Sequence, residues 1–293
     1  HRLLSCLLLG AAVAATAAEP VIIAGVDYLG DLPTLVADRH GLFDDAVAGD
    51  MRVEYRRSGR DNLERLLAGE VTFATMAMTP VVIHEATRDP VDRRPCLRIL
   101  AGLHRGINST RLYAPASLAA PAVRDLAGHT VGLMPGTNAE PLWWHLARTH
   151  GLGPDAVSVV GLPIDRLADA LAAGTIDAAI LWDPWPALIE ANHALALSAV
   201  GEPGAFGTKW VLVATAATLA QRPEDARAVL AAYREAINLI ERDPGEVDRL
   251  LAQQHGVASA ALEDRWAFAD FDLIADWSLI LHIPQILEWT AAT

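Results

Sequence analysis

The stretch LAAGTIDAAILWDPWP, residues 171–186, decides the fold, because residues 67–80, LAGEVTFATMAMTP, repeat its pattern. Each stretch contains the end of an amphipathic helix, a glycine that ends it, a short apolar strand and the start of another helix. Thr79 and Asp183 each precede a proline, and an oxygen acceptor followed by proline is a strong signal for a helix start. The sequence therefore predicts two similar α/β units with Thr79 and Asp183 as helix N-caps.

Strands and helices alternate along most of the chain, which indicates parallel strands covered by helices. The predicted fold class is α/β, with two α/β lobes and a ligand cleft between them. We expect the first lobe at residues 19–105 plus 215–293 and the second at 106–214. The pattern after residue 223 predicts only helices, which return to cover the first lobe. If helix N-termini of both lobes face the cleft, their free N–H groups favour a small oxyanion.

Length and composition limit the class of protein. At 293 residues, with 52% hydrophobic and 20% charged residues, the chain is long enough for two cores and is not intrinsically disordered. The net charge of −13 argues against nucleic acid and against anionic membrane surfaces as partners. We expect a monomeric globular protein whose ligand is a small molecule.

The first 18 residues differ from the rest of the chain. Arg2 precedes an apolar run over residues 3–18 that ends in small residues, a pattern typical of a secretory signal cut near Ala18. A buried first helix is the alternative. Removal of the signal leaves Cys96 as the single cysteine, so no internal disulfide is expected. We therefore predict an exported, periplasmic protein.

The loop at residues 134–140, MPGTNAE, follows a predicted strand and opens a predicted helix. Gly136 lets the backbone approach a ligand, and Thr137 and Asn138 offer a hydroxyl and an amide beside free N–H groups. Thr137 and Glu140 also fit a capping box, in which the hydroxyl caps the helix. Both roles remain open, because an N-cap hydroxyl can also turn toward a ligand.

Further candidate ligand contacts follow predicted strands. Asp27 and Tyr28 come after the apolar run 21–26, and Trp182 ends the apolar strand of the second unit. Open α/β sheets bind ligands outside the carboxyl ends of their strands, although Trp182 also fits a core position. Asp183 would repel an anion unless its carboxylate bonds the backbone or a donor group of the ligand.

The sequence lacks the signatures of common enzymes. It contains no G-x-S-x-G, no P-loop and no paired cysteines for a metal. His84-Glu85 lacks the second histidine of a zinc-binding helix. We therefore expect no catalytic residue, no metal and no cofactor.

Several motifs occur in an order that resembles one known family, the periplasmic substrate-binding proteins of ABC importers for nitrate, sulfonates and taurine. The motifs are LLAGEVTFATMAMTPVV (66–82), DLAGHTVGLMPGTNAE (125–140), GLPIDRLADALAAGTIDAAILWDPW (161–185) and RPEDARAVLAAYREAINLIERDP (222–244). The resemblance implies the type II periplasmic-binding-protein fold, ligand capture between two lobes, and delivery to an ABC permease in the inner membrane. The contacts that it implies are Asp27, Tyr28, Leu29, Met78, Thr79, Gly136, Thr137, Asn138, Trp182 and Asp183.

The chain departs from the family pattern at a few positions. Thr72 stands where relatives commonly have Asp, and Pro141 where an aromatic or aliphatic residue is usual. No arginine lies within the matched contact motifs to clamp a sulfonate through two hydrogen bonds. Two alternatives stay open. One is a ligand-sensing module for a membrane receptor, and the other is an enzyme like the thiamine-pyrimidine synthase that the chain distantly resembles.

Overall fold

A computed structural model describes residues 19–293 of the chain apart from residues 27, 48, 90–94, 108, 119, 121 and 257–268. The predicted secretory signal at residues 1–18 lies outside the described residues. In chain order the strands are β1 (Val21–Val26), β2 (Met51–Arg56), β3 (Phe73–Ala77), β4 (Leu97–Gly106), β5 (Thr110–Pro115), β6 (Thr130–Leu133), β7 (Ser158–Gly161), β8 (Ala178–Trp182), β9 (Leu197–Ala199), β10 (Thr208–Thr215) and β11 (Ala269–Ile274).

The α-helices follow the same alternation until the C-terminal third of the chain. They are α1 (Leu32–Arg39), α2 (Leu42–Ala46), α3 (Gly59–Leu67), α4 (Met78–Thr87), α5 (Ala139–Thr149), α6 (Ile164–Ala172), α7 (Trp185–His193), α8 (Ala216–Gln221), α9 (Pro223–Arg242), α10 (Pro244–His255) and α11 (Ile283–Ala292). Short 3-10 turns occur at Leu29–Asp31, Ala116–Leu118, Val123–Leu126 and Trp277–His282.

The strands form two sheets, each the centre of one lobe. The first sheet has the order β11-β4-β10-β3-β1-β2, and the second has the order β7-β6-β8-β5-β9. β1 is parallel to β3 and β6 is parallel to β8, as expected for strands linked through helices. We call residues 19–106 with 208–293 the first lobe and residues 110–199 the second lobe. Crossovers at 107–109 and 200–207 join them.

The two repeated stretches form the same local structure. α3 ends at Leu67 and Gly69 turns the chain with φ 74° before β3, while α6 ends at Ala172 and Gly174 turns it with φ 66° before β8. A backbone with positive φ favours glycine, because glycine has no Cβ to clash. Every residue of β3 and β8 is buried, which explains their continuous apolar sequences. The predicted pair of α/β units is present.

The helix starts after β3 and β8 differ from the prediction. α4 begins at Met78, so Thr79 lies inside its first turn, and α7 begins at Trp185 with Pro184 as N-cap. Thr79 and Asp183 are therefore not N-caps, and that prediction is wrong. Proline is tolerated throughout the first turn, because the first four N–H groups of a helix have no intrahelical partner. The proline signal thus locates the first turn but not its first residue.

Two strands lie where the sequence prediction does not put them. The predicted boundary at residue 214 assigns β10 to the second lobe, but β10 pairs with β3 and β4 in the first sheet. The C-terminal segment, predicted to contain only helices, includes β11, which pairs with β4. A buried apolar run indicates a strand but does not specify its neighbours, which explains the wrong boundary.

The C-terminal helix α11 joins the lobes at a third place. It packs against α4 of the first lobe and against α5 of the second. Ile286 of α11 is almost fully buried in an apolar cluster that also contains Val82 and Leu142. α11 therefore bridges the lobes in addition to the two crossovers.

The helical spacing of Leu63, Leu66 and Leu67 predicts a helix from Asn62, whereas α3 begins three residues earlier, at Gly59. Its N-cap is Ser58, whose hydroxyl oxygen accepts a hydrogen bond from the Asp61 N–H at 3.2 Å. The spacing of Ser58 and Asp61, S-x-x-D, is itself typical of a helix start. The early start brings Gly59 against β3 and places Arg60 in the first turn.

Gly59→Ala is expected to lower the free energy of unfolding by about 1–3 kcal/mol, because of overpacking. A Cβ at this position would lie 2.6 Å from Met76 Cβ and 2.8 Å from Met76 Cα. Urea unfolding measures the loss. Gly153→Ala is the matched control, since its added Cβ has nothing within 4 Å. Equal stability of the two variants would contradict the close approach of α3 to β3.

Candidate functional site

A small cavity lies between the lobes, at the carboxyl ends of β1, β3 and β8. Its volume is about 30 Å³, which is room for one or two water molecules. The lobes therefore lie close together, and they must separate to admit an organic ligand. The described residues that line the cavity are Val26, Tyr28, Ser58, Gly59, Arg60, Ala77, Pro80, Thr110, Thr137, Asn138, Trp182 and Trp210.

Three helix N-termini converge on this cavity. Ser58 and Gly59 begin α3, Ala77 is the N-cap of α4, and Asn138 is the N-cap of α5. The N-terminal ends of helices carry partial positive charge and unpaired N–H groups, so they attract anions. α3 and α4 belong to the first lobe and α5 to the second. An anion between them would contact both lobes at once.

Arg60 adds a full positive charge at the same place. Among the described lining residues it is the only charged one. Its Nη1 donates to the carbonyl oxygen of Pro135 in the second lobe at 3.1 Å, and its Nε donates to Glu64 at 3.3 Å. The side chain is 46% exposed, so the guanidinium lies at the cavity mouth. It is free to turn its donors to a ligand when the lobes separate.

Two aromatic side chains of the cavity wall carry polar atoms without a hydrogen-bond partner. The Tyr28 hydroxyl and the Trp210 Nε1–H are buried and have no partner at hydrogen-bond distance, and their rings lie 4.7 Å apart between centroids. The Ser109 and Thr110 hydroxyls lie near the Tyr28 hydroxyl, and Asp31 lies near Trp210. Burial raises the pKa of the Tyr28 hydroxyl above its usual value, while the neighbouring Ser109 hydroxyl opposes the rise. Tyr28 therefore stays protonated, and both groups can donate to a bound ligand.

Asp31 holds the backbone beneath the cavity. Its carboxylate accepts hydrogen bonds from the Val26 N–H at 2.7 Å and from the Thr34 and Thr75 hydroxyls at 2.6 Å each. Burial raises the pKa of Asp31 to about 7, against the effect of these hydrogen bonds. The Thr34 hydroxyl also contacts the Tyr233 hydroxyl at 2.9 Å, so the network reaches α9. The network fixes the end of β1 next to the cavity.

Further contacts between the lobes surround the cavity. The Leu29 N–H donates to the carbonyl oxygen of Asp183 at 3.2 Å. Arg57 forms an ion pair with Asp165 across the mouth of the cleft. Exposed ion pairs contribute little to stability, so this pair leaves the lobes able to separate.

The structure brings together part of the predicted contact set. Tyr28, Thr137, Asn138 and Trp182 line the cavity. Five other predicted contacts lie near it but do not form its wall, and Asp27 lies outside the described residues. The five are Leu29, Met78, Thr79, Gly136 and Asp183.

The polar groups of the α5 loop are mostly engaged within the loop. The Thr137 hydroxyl donates to the Met134 carbonyl oxygen at 2.7 Å and accepts from the Ala139 N–H at 3.2 Å. The Gly136 N–H donates to Glu140 at 2.6 Å, so the glutamate does not pair with Thr137 as the capping-box prediction requires. The Thr137 hydroxyl therefore holds the loop in place at the cavity wall.

Sequence reasoning missed Arg60 and Trp210. The S-x-x-D spacing at residues 58–61 could have located the start of α3, and with it Arg60. Trp210 gave no local signal, since it lies within an apolar strand whose place in the first sheet depends on pairing with β3 and β4.

In the described part of the chain, no three His, Cys, Asp or Glu side chains are placed to hold one metal ion. No helix there is long and apolar enough to cross a membrane.

A sequence profile of NMT1/THI5-like proteins matches residues 31–247, more than half of the chain. The chain belongs to the NMT1/THI5-like family. The matched region includes both repeated units and the cavity-lining residues from Ser58 to Trp210. Membership confirms the family type that the sequence motifs indicate. No curated protein sequence matches the chain.

Solved structures confirm the fold class of this NMT1/THI5-like protein. The periplasmic aliphatic sulphonate binding protein SsuA from Escherichia coli matches with a TM-score of 0.77 and 17% identity, over 94% of this chain and 92% of that chain. The periplasmic nitrate-binding protein NrtA from Synechocystis PCC 6803 matches with 0.66 and 16%, over 83% and 68%. The desulfurization enzyme DSZB matches with 0.64 and 15%, over 94% and 92%.

Proposed function

We propose that this protein is the extracytoplasmic solute-binding component of an ABC importer and captures a small organic anion between its lobes. One observation carries the proposal. Three helix N-termini and Arg60 converge on one cavity between the lobes. Such a site replaces the hydration of an anion by several charge-assisted hydrogen bonds. Contacts from both lobes stabilise the closed form once the ligand is bound.

The cavity wall favours an organic anion over a bare inorganic one. Tyr28, Trp182 and Trp210 supply large apolar surfaces, and Arg60 is the single charge among the described lining residues. Aromatic walls with few polar groups suit a ligand that has an apolar body. A sulfonate is the first candidate, because SsuA of Escherichia coli is named as an aliphatic sulphonate binding protein.

We also propose that the protein is a periplasmic monomer and that it delivers its ligand to a membrane permease. A sensing module for a membrane receptor would need the same cleft and the same closure, so the site alone favours neither. Genes for a permease and an ATPase beside the gene for this protein would support import. The similarity of this fold to that of the desulfurization enzyme DSZB supports an enzymatic role. Such a role would require turnover of the bound ligand.

The experiment is a thermal denaturation screen followed by calorimetry. The compounds are nitrate, bicarbonate, ethanesulfonate, taurine, benzenesulfonate, benzoate and a pyrimidine. We expect an organic sulfonate or carboxylate to raise the melting temperature, since a ligand that binds only the folded state stabilises it by mass action. A shift by nitrate alone would contradict the organic ligand, and no shift by any anion would contradict the anion site.

A further inference from the structure

Polar atoms without partners concentrate beside the ligand cavity, where the lobes join. Of eight buried side-chain N and O atoms without a hydrogen-bond partner among the described residues, five belong to Tyr28, His104, Ser109 and Trp210. We call the Tyr28 hydroxyl, the Ser109 hydroxyl and the His104 imidazole the hinge cluster. His104 is on β4 and Ser109 lies in the crossover that follows it. Folded proteins leave few buried polar groups unpaired, so such a concentration needs an explanation.

The members of the hinge cluster lie close to one another. A Cβ added at Gly106 would lie 2.8 Å from His104 Nε2 and 3.2 Å from Ser109 Oγ. Both polar atoms, which have no hydrogen-bond partner, therefore lie against the Gly106 backbone. The Tyr28 and His104 rings are 6.4 Å apart between centroids, and Tyr28 also lines the ligand cavity. The hinge cluster is therefore next to the site proposed for the anion.

The chemistry of the hinge cluster suits a neutral group. Burial lowers the pKa of His104 to about 4, so the imidazole is uncharged and offers one donor and one acceptor. The two hydroxyls can likewise donate or accept. Asp183 and Asp31 lie close enough to act electrostatically on Tyr28, which disfavours a second anionic group there. An alcohol hydroxyl, which donates and accepts, matches this set.

We propose that the ligand carries a hydroxyl group at the end opposite its anionic group, and that Tyr28, Ser109 and His104 bind this hydroxyl. The inference rests on the proposed function, in which the cleft binds a small organic anion. The anionic group lies at Arg60 and the helix N-termini, the apolar body contacts the aromatic wall, and the hydroxyl reaches the hinge cluster. The hydroxyl donates one hydrogen bond and accepts up to two, so it supplies partners for up to three of the four polar atoms of the hinge cluster.

The test compares ligands that differ by one hydroxyl. The pairs are propane-1-sulfonate with 3-hydroxypropane-1-sulfonate, benzenesulfonate with 4-hydroxybenzenesulfonate, and benzoate with 4-hydroxybenzoate, measured by calorimetry on the full chain. In at least one pair we expect the hydroxylated member to bind at least tenfold more tightly. A site built to hydrogen-bond a hydroxyl rejects the analogue that lacks it, because the buried polar groups of the protein stay unpaired.

Two conservative variants test the assignment of residues. Tyr28→Phe and Ser109→Ala each remove one hydroxyl, and each is expected to lower the preference for the hydroxylated member at least fivefold. Ser198→Ala, which removes an exposed hydroxyl on β9, is the control and should keep the preference. Melting temperatures without ligand show whether each variant is folded.

The outcomes separate this inference from the proposed function. Equal binding of both members in every pair overturns the inference and leaves the anion site standing. A hydroxyl preference that survives in both folded variants overturns the assignment to the hinge cluster. No binding by any of the six compounds contradicts the proposed function, and the inference fails with it.

Discussion

Replacing Arg60 with glutamine is expected to weaken the binding of an organic anion at least tenfold. Arg60 is the only charged side chain among the described residues of the cavity wall. A hydrogen bond to a charged group contributes about 1.5–3 kcal/mol, which corresponds to roughly a 10- to 150-fold change in Kd. Calorimetry with the anion that gives the largest thermal shift measures the change. The effect should be smaller at high salt, because the guanidinium is half exposed.

Arg56→Gln is the matched control for Arg60→Gln. Arg56 is a similarly exposed arginine at the end of β2, and it pairs with Glu54 and not with the cavity. We expect the Kd of Arg56→Gln for the same anion to stay within about twofold of the wild-type value, since exposed ion pairs contribute little. Equal losses in the two variants would mean a general charge effect and would contradict a direct role for Arg60.

Replacing Asp31 with alanine is expected to lower the free energy of unfolding by about 3 kcal/mol. The change leaves the Val26 N–H and the Thr34 and Thr75 hydroxyls without their shared acceptor. Each hydroxyl has a second hydrogen-bond partner, Tyr233 for Thr34 and the Ala24 carbonyl oxygen for Thr75. The Val26 N–H loses its acceptor, and a buried unpaired donor is costly. Urea unfolding at fixed pH measures the loss.

Asp31→Asn is the control for this network, and it also tests the titration of Asp31. Its amide oxygen can still accept from Val26 and Thr75, so the loss should be about 1 kcal/mol or less. A loss as large as that of Asp31→Ala would contradict this account of the network.

The raised pKa of Asp31 predicts how the free energy of unfolding of the wild type changes with pH, relative to that of Asp31→Asn. Burial raises the pKa of Asp31 to about 7 from 3.8, so between these values the folded state binds a proton that the unfolded state does not. This contribution to stability is complete below the unfolded pKa and is lost as pH rises through the folded pKa. From pH 5 to 8, wild type should lose about 2–3 kcal/mol of its free energy of unfolding relative to Asp31→Asn. A constant difference between the two proteins would contradict the raised pKa.

The fold was largely predictable because its signals are local. Helix, glycine and apolar strand recur in the two repeated stretches, and short-range sterics and burial explain each of these signals. The places of β10 and β11 were not predictable in the same way. Their positions depend on pairing with β4, whose partners are distant in sequence. Apolar character indicates that a strand is buried, but it does not indicate which strand lies next to it in the sheet.

The candidate site could be predicted where it depends on strand ends. Tyr28 and Trp182 follow or end strands that point into the cleft, and both line the cavity. Arg60 could not be predicted from the matched motifs, since it lies outside them and reaches the cavity only through the start of α3. Trp210 lies on β10, which follows the second crossover and pairs within the first sheet. Its position beside Tyr28 therefore depends on the tertiary structure.

The position of α11 limits how far this protein can open. Because α11 packs on α4 and on α5, a wide opening angle requires it to leave one of them, whereas a small rotation does not. In small-angle X-ray scattering, the radius of gyration should therefore change little between the empty and the occupied protein. Small solutes can enter after a small rotation of the lobes. Bulky solutes need a wider opening, for which α11 must first leave α4 or α5.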